Sequence, residues 1–176
     1  MGFKNKNTVW TEVTATGTSK MLPAGGYVAK ITAVEDIESK EYLRFTYDIA
    51  EGEHAGFFAT DDRDYTHQFV RSYKDSAAGF MKRFLECVEG SNDKFKLDGW
   101  DNDPNDLVGK LVGIIVQRED YTNQNGEDRA RMNVEDFASA ADIRAKRYKL
   151  PEPKDTRAEK PAQAIDSSVY DADIPF

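Results

Sequence analysis

Between Glu41 and Ala50 the chain alternates without a break, with Leu43, Phe45, Tyr47 and Ile49 at odd positions and Tyr42, Arg44, Thr46 and Asp48 at even ones. A period of two puts the large apolar groups on one face of a strand and the polar groups on the other. A helix would scatter both sets around its axis. The segment therefore predicts a strand with one face in a core and one in water. Other strands must complete that core. Gly26–Val34 is rich in strand-forming residues and follows the turn Pro23-Ala-Gly-Gly26. Gly56–Ala59 reads as a short strand after the turn Glu51–His54. Val108–Arg118 puts Val112, Ile114 and Val116 on one face, and Arg129–Phe137 sets Ala130, Met132 and Val134 against Arg129, Arg131 and Asn133. Asn125-Gly126, inside the loop Tyr121–Asp128, is a hairpin signal, because both residues accept the positive φ of a tight turn.

The middle of the chain changes period. Asp75 or Ser76 can cap a helix over Ala77–Glu89, with Phe80, Phe84, Leu85 and Val88 on one stripe and Gly90 past its end. Ala140–Tyr148 predicts a short final helix. Three strands, a helix and two strands make a mainly β chain. The expected architecture is an OB-fold, a five-stranded antiparallel Greek-key barrel with one helix between strands 3 and 4. An open α+β sandwich is the alternative. After Leu150 the sequence holds four of the six prolines, few large apolar residues and no period, which predicts a disordered C-terminal tail. The expected division is a domain over 1–150, opening with a basic extension over 1–21, and a tail over 151–176.

Charge bears on partners. A net charge of −8 opposes phosphate binding, but the charge is uneven. Met1–Val34 carries four lysines against Glu12, and Arg144, Lys146, Arg147 and Lys149 run without an acid between them. Ala164–Phe176 has Asp166, Asp171 and Asp173 and no base. One cysteine, Cys87, excludes a disulfide framework, and two histidines leave little for a histidine metal centre. No apolar run approaches the ~20 residues of a membrane span, and the start of the chain lacks a leader-like apolar stretch, so a soluble cytoplasmic protein is expected.

The water-facing positions are unusual in content. Tyr42 and Arg44 share one face, and Arg129 and Arg131 share another. Arg118 and Tyr121 stand at the mouth of the last hairpin loop, Tyr65, Phe69 and Arg71 lie in one short stretch, and Trp10 and Lys30 lie in the basic N-terminal part. Aromatic platforms interleaved with cations suit an unpaired nucleic acid strand, whose bases stack while its phosphates are neutralised. Catalytic constellations are missing. Asp61-Asp62-Arg63-Asp64 reads as a solvated turn more readily than as a nuclease metal cluster. Asp101–Val112 starts with calcium-loop spacing but has Asp106 and Val112 where that loop needs glycine and glutamate. No phosphate-cradling, nucleophile-elbow or zinc-protease motif occurs. No catalytic residue, metal or cofactor is expected.

The chain ends Asp171-Ala-Asp173-Ile174-Pro175-Phe176. This resembles the acidic tip of bacterial single-stranded DNA-binding proteins. The resemblance implies that the tip docks onto replication, recombination and repair proteins, with Phe176 in an apolar pocket, its carboxylate on a basic residue and Asp171 and Asp173 on a basic rim. Leu22–Tyr27 with an early Trp10, and Leu107–Val112 ahead of the loop at Tyr121, are similar to OB-fold single-strand binders of bacteriophages and mobile elements. Those similarities imply a non-enzymatic protein that coats single-stranded DNA in the cytoplasm of a bacterium or bacterial host. A homo-oligomer is possible, and no membrane is involved. A recombination adaptor that binds DNA weakly, and a metal-dependent single-strand nuclease, are the alternatives.

Overall fold

The computed structural model describes Thr11 and residues 21–158. Trp10 and the tip residues Asp171, Asp173, Ile174, Pro175 and Phe176 lie outside the described residues. The strands are β1 (Gly25–Ile37), β2 (Tyr42–Ile49), β3 (Gln68–Ser72), β4 (Leu111–Thr122), β5 (Asp128–Ala138) and β6 (Lys154–Thr156), and the α-helices are α1 (Ala78–Ser91) and α2 (Ala140–Arg144). The chain is mainly β. Its sheet has six strands and runs β3-β2-β1-β4-β5, with all neighbours antiparallel. The sheet is open, since β3 and β5 end the path without pairing. β6 adds to β4 in parallel.

The predicted alternation of β2 is present residue for residue: Leu43, Phe45, Tyr47 and Ile49 are buried and the residues between them are partly exposed. β1 is long because it serves two partners, pairing β4 through Gly25–Lys30 and β2 from Ala29 onward, with an irregularity between Ile31 and Ala33. An extra residue there bends the strand and increases its twist, which curls the sheet around the core. On the inner face, Phe45, Phe69, Phe84 and Phe137 meet with ring centroids 4.8–5.6 Å apart. α1 contributes Phe84 and Val88 to that face. Asn92 pins the end of α1 to the sheet: its amide donates to the carbonyls of Val88 (2.7 Å) and Leu111 (2.8 Å), and its carbonyl accepts from the Leu111 N–H (3.0 Å).

α2 covers the opposite face. Val28 and Ile115 pack there on Ala140 and Ile143, with Tyr148 beside them. The close approach depends on glycine. A Cβ on Gly113 would lie 2.5 Å from the Ala138 carbonyl oxygen and 2.6 Å from Ile143.

Four expectations are corrected. Gly56–Ala59 forms consecutive turns and not a strand; Phe58 reaches the core from a turn, and the third strand is Gln68–Ser72. Phe80 is 68% exposed, since it belongs to the first turn of α1, beyond the region where the helix meets the sheet. The final helix stops at Arg144, with Ala145 and Lys146 closing it in a turn. Residues 151–158, expected to be disordered, lie along β4, so the ordered unit passes the expected boundary at 150. No helix among the described residues is long and apolar enough to cross a membrane.

Candidate nucleic-acid interface

A groove of about 430 Å³ opens between the segment leading into β3 and the outer part of the β4–β5 hairpin. Tyr65, Tyr121 and Arg131 line it, with Phe58, Val116 and Met132 supplying apolar surface and Gln68 and Asn133 supplying amides. Its size falls within the range of small-ligand pockets, about 300–1,000 Å³.

Each wall has a local cause. Tyr65 stands in a 3-10 turn, Asp64–His67, and is 74% exposed. Asp61 sets up that turn. Its carboxylate accepts from the Arg63 side chain (3.0 Å), the Arg63 backbone N–H (3.0 Å) and the Thr66 hydroxyl (2.8 Å). These bonds, the Arg63 side chain first, hold the Asp61 carboxyl well below the usual carboxylate range. Asp61 therefore serves to shape the turn. His67, buried behind it, stacks on Phe58 at 4.7 Å and hydrogen-bonds Thr66 through Nδ1 at 2.9 Å. On the far wall the Arg131 guanidinium lies 4.2 Å from the centre of the Tyr121 ring. The Nε–H of Arg131 donates to Glu119 at 2.7 Å, and its terminal nitrogens make no hydrogen bond among the described residues. Glu119 is only 7% exposed and also accepts from Asn133 (2.8 Å) and Thr156 (2.9 Å). Asn133 first, then Arg131 and Thr156, pull its pKa down, so the carboxylate stays charged and fixes the guanidinium against the ring.

The structure unites three of the residues singled out from the sequence, Tyr65, Tyr121 and Arg131. Tyr42, Arg44 and Lys30 lie instead on the outer face of β1 and β2, where Arg44 meets Glu35 at 3.2 Å. Arg129 pairs with Glu127, and Arg118 pairs with Asp120 at 3.0 Å. Phe69 is corrected outright. At 8% exposure it is a core ring stacked on Phe45, so it offers no platform. Arg71 is half-buried, 4.9 Å from the centre of the Phe137 ring, and donates to the Phe80 carbonyl at 3.0 Å. It is the one described arginine outside a carboxylate ion pair. The sequence pattern does not single out Arg63, which sits among three aspartates, or Tyr47, Gln68 and Asn133 as groove residues. The alternation put Asn133 on the face of Arg131, so that signal was present; nothing in the sequence marked Gln68.

Residues 7–146 match the model of a family described as a protein of unknown function, DUF669. The chain belongs to the DUF669 family. The matched span contains both groove walls, the five antiparallel strands and both α-helices, and it stops before β6. A comparison with curated proteins finds none that matches this DUF669 chain.

Proposed function

We propose that this chain is a non-enzymatic single-stranded DNA-binding protein that coats the strand with little sequence preference. Its terminal tip, Asp171–Phe176, then recruits replication, recombination and repair proteins in a phage or mobile-element setting. The observation that carries the reading is the Tyr121–Arg131 stack facing Tyr65 across the groove. An exposed aromatic offers a base about 1–3 kcal/mol of stacking, and a guanidinium whose terminal nitrogens make no hydrogen bond among the described residues offers phosphate a charged partner. The finer architecture proposed is a five-stranded OB-type barrel that curls without closing. The Phe69–Phe137 contact at 4.9 Å, which joins the two end strands, supports it.

Nine of the ten described arginines already hold a carboxylate, and this favours the adaptor alternative, in which DNA binding is weak. Most of these pairs are exposed and worth about 0.2–1 kcal/mol each, so phosphate can displace the carboxylates at small cost. Fluorescence anisotropy with a labelled single strand at two salt concentrations, with magnesium present, separates the readings. Coating predicts binding without cleavage, a log–log salt slope of about −0.7 per phosphate contact and much weaker binding of duplex. A salt-independent or absent signal favours the adaptor, and a shortened oligonucleotide favours the nuclease.

A further inference from the structure

We propose that the groove seats one unstacked nucleobase of the bound strand and reads its edge, giving the coating protein a base preference at that one register. This inference rests on the single-strand reading above. Its basis is Tyr47, which that reading does not use. Tyr47 projects from β2 toward the core and is only 3% exposed, yet it lines the groove. Its hydroxyl makes no hydrogen bond among the described residues and is not sealed from solvent. Burial first, and then the neighbouring charge of Asp48, push the phenol pKa up, so the hydroxyl keeps its proton as a donor. A hydroxyl set in an aromatic core, open to the groove and without a partner among the described residues, is a hydrogen-bonding group that a groove ligand can engage.

Two further polar edges line the same groove. Gln68 gives one amide N–H to the Thr46 hydroxyl at 3.1 Å, and Asn133 gives one to Glu119 at 2.8 Å. The carbonyl oxygens of both side chains make no hydrogen bond among the described residues. Phe58, Val116 and Met132 form the apolar part of the lining. An aliphatic ligand would leave the Tyr47 hydroxyl and both amides unmatched. A multiply charged anion would meet Arg63 and Arg131 but also the Asp61 carboxylate, and it would leave the apolar lining and the Tyr47 hydroxyl unused. A nucleobase matches both features, with a flat face for Tyr65 and Tyr121 and a donor–acceptor edge for Tyr47, Gln68 and Asn133. Carboxamides are suited to reading such edges.

The test compares dT15, dA15 and dC15 by anisotropy on the full chain, with free deoxynucleoside monophosphates as competitors. Tyr47→Phe deletes only the hydroxyl and breaks no hydrogen bond among the described residues. The wild type should favour one homopolymer. Tyr47→Phe should lower affinity for that homopolymer about three- to ten-fold, the size of one lost hydrogen bond, with melting temperature unchanged. Asn133→Ala, on a different strand, should narrow the same preference. Equal binding of all three homopolymers, or a preference untouched by both substitutions, overturns the base pocket and leaves the single-strand reading standing. A monophosphate that competes as well as an equal concentration of strand overturns it too, assigning the groove to free nucleotides. If no oligonucleotide binds the wild type, the proposed function fails and this inference fails with it.

Discussion

Where α1 covers the sheet, four phenylalanines meet ring to ring, while the outer halves of β4 and β5 are joined to β6 almost wholly by polar bonds. In the first region Phe45 and Phe84 are fully buried, and aromatic surface removed from water supplies the stability. In the second, Gln117 donates to the Pro151 carbonyl at 2.6 Å, Lys154 to Glu135 at 2.6 Å, Thr156 to Glu119 at 2.9 Å, and the Ala158 N–H to Thr122 at 2.8 Å. Each bond of this kind contributes about 0.5–1.5 kcal/mol net, and exposed ones contribute less. One region sets the shape of the sheet. The other, with little apolar surface to protect, is left to present Tyr121 and Arg131.

The largest break in that contrast should come from Phe45→Ala. It removes a fully buried ring from the middle of the cluster and should cost about 3–5 kcal/mol in chemical denaturation. A loss below about 1 kcal/mol would mean that the cluster is not the core. Gly113→Ala should follow at about 1–3 kcal/mol. Its methyl group would be driven against the backbone oxygen of Ala138, which cannot turn aside as a side chain can. Normal stability of that variant would show α2 to be loosely seated.

Tyr121→Ala should reverse the pattern. The ring stands on the hairpin arm, so melting should barely change while single-strand affinity falls by about 1–3 kcal/mol. Equal losses of stability and affinity would erase the distinction between the two regions.

Much of the first region was legible in the sequence, because period two in β2, β4 and β5 reports directly on which side chains face the core. The misreadings share a cause. Phe57 and Phe58 looked like strand residues, but the hydrogen bonds of Gly56–Ala59 close turns, so apolar content there reflects contact with the core and not backbone geometry. Nearness along the chain groups Phe69 with Tyr65 and Arg71, whereas pairing with Phe45 turns it inward. β6 left no trace, because Lys154-Asp155-Thr156 has no apolar period and is fixed by partners on β4 and β5. The groove was legible only in part. Its exposed aromatics and arginine were visible by type, while Tyr47 and Gln68 enter it through the way β2 and β3 pack.

The smallest expected effect tests how β6 is held. Glu119 accepts from Asn133, Arg131 and Thr156, and these bonds lower its pKa in the folded chain below the ordinary value of 4.5. A carboxyl with a depressed folded pKa takes up protons more readily when unfolded. Its stabilising contribution is therefore complete above about pH 4.5 and declines as the pH falls through that value toward the folded pKa. Thr156→Val deletes one of the three donors without touching the aromatic core. At neutral pH it should leave the melting temperature nearly unchanged and speed hydrogen exchange at the Ala158 amide several-fold, because that N–H is protected only while the strand lies against Thr122. Below pH 4.5, once base-catalysed intrinsic rates are allowed for, the wild-type amide should approach the variant's protection, because protonating Glu119 weakens the same attachment. An Ala158 amide equally protected in both proteins across this range would show that Glu119 does not secure β6, and that the strand is held by its pairing with β4 and by Gln117, Lys154 and Thr122.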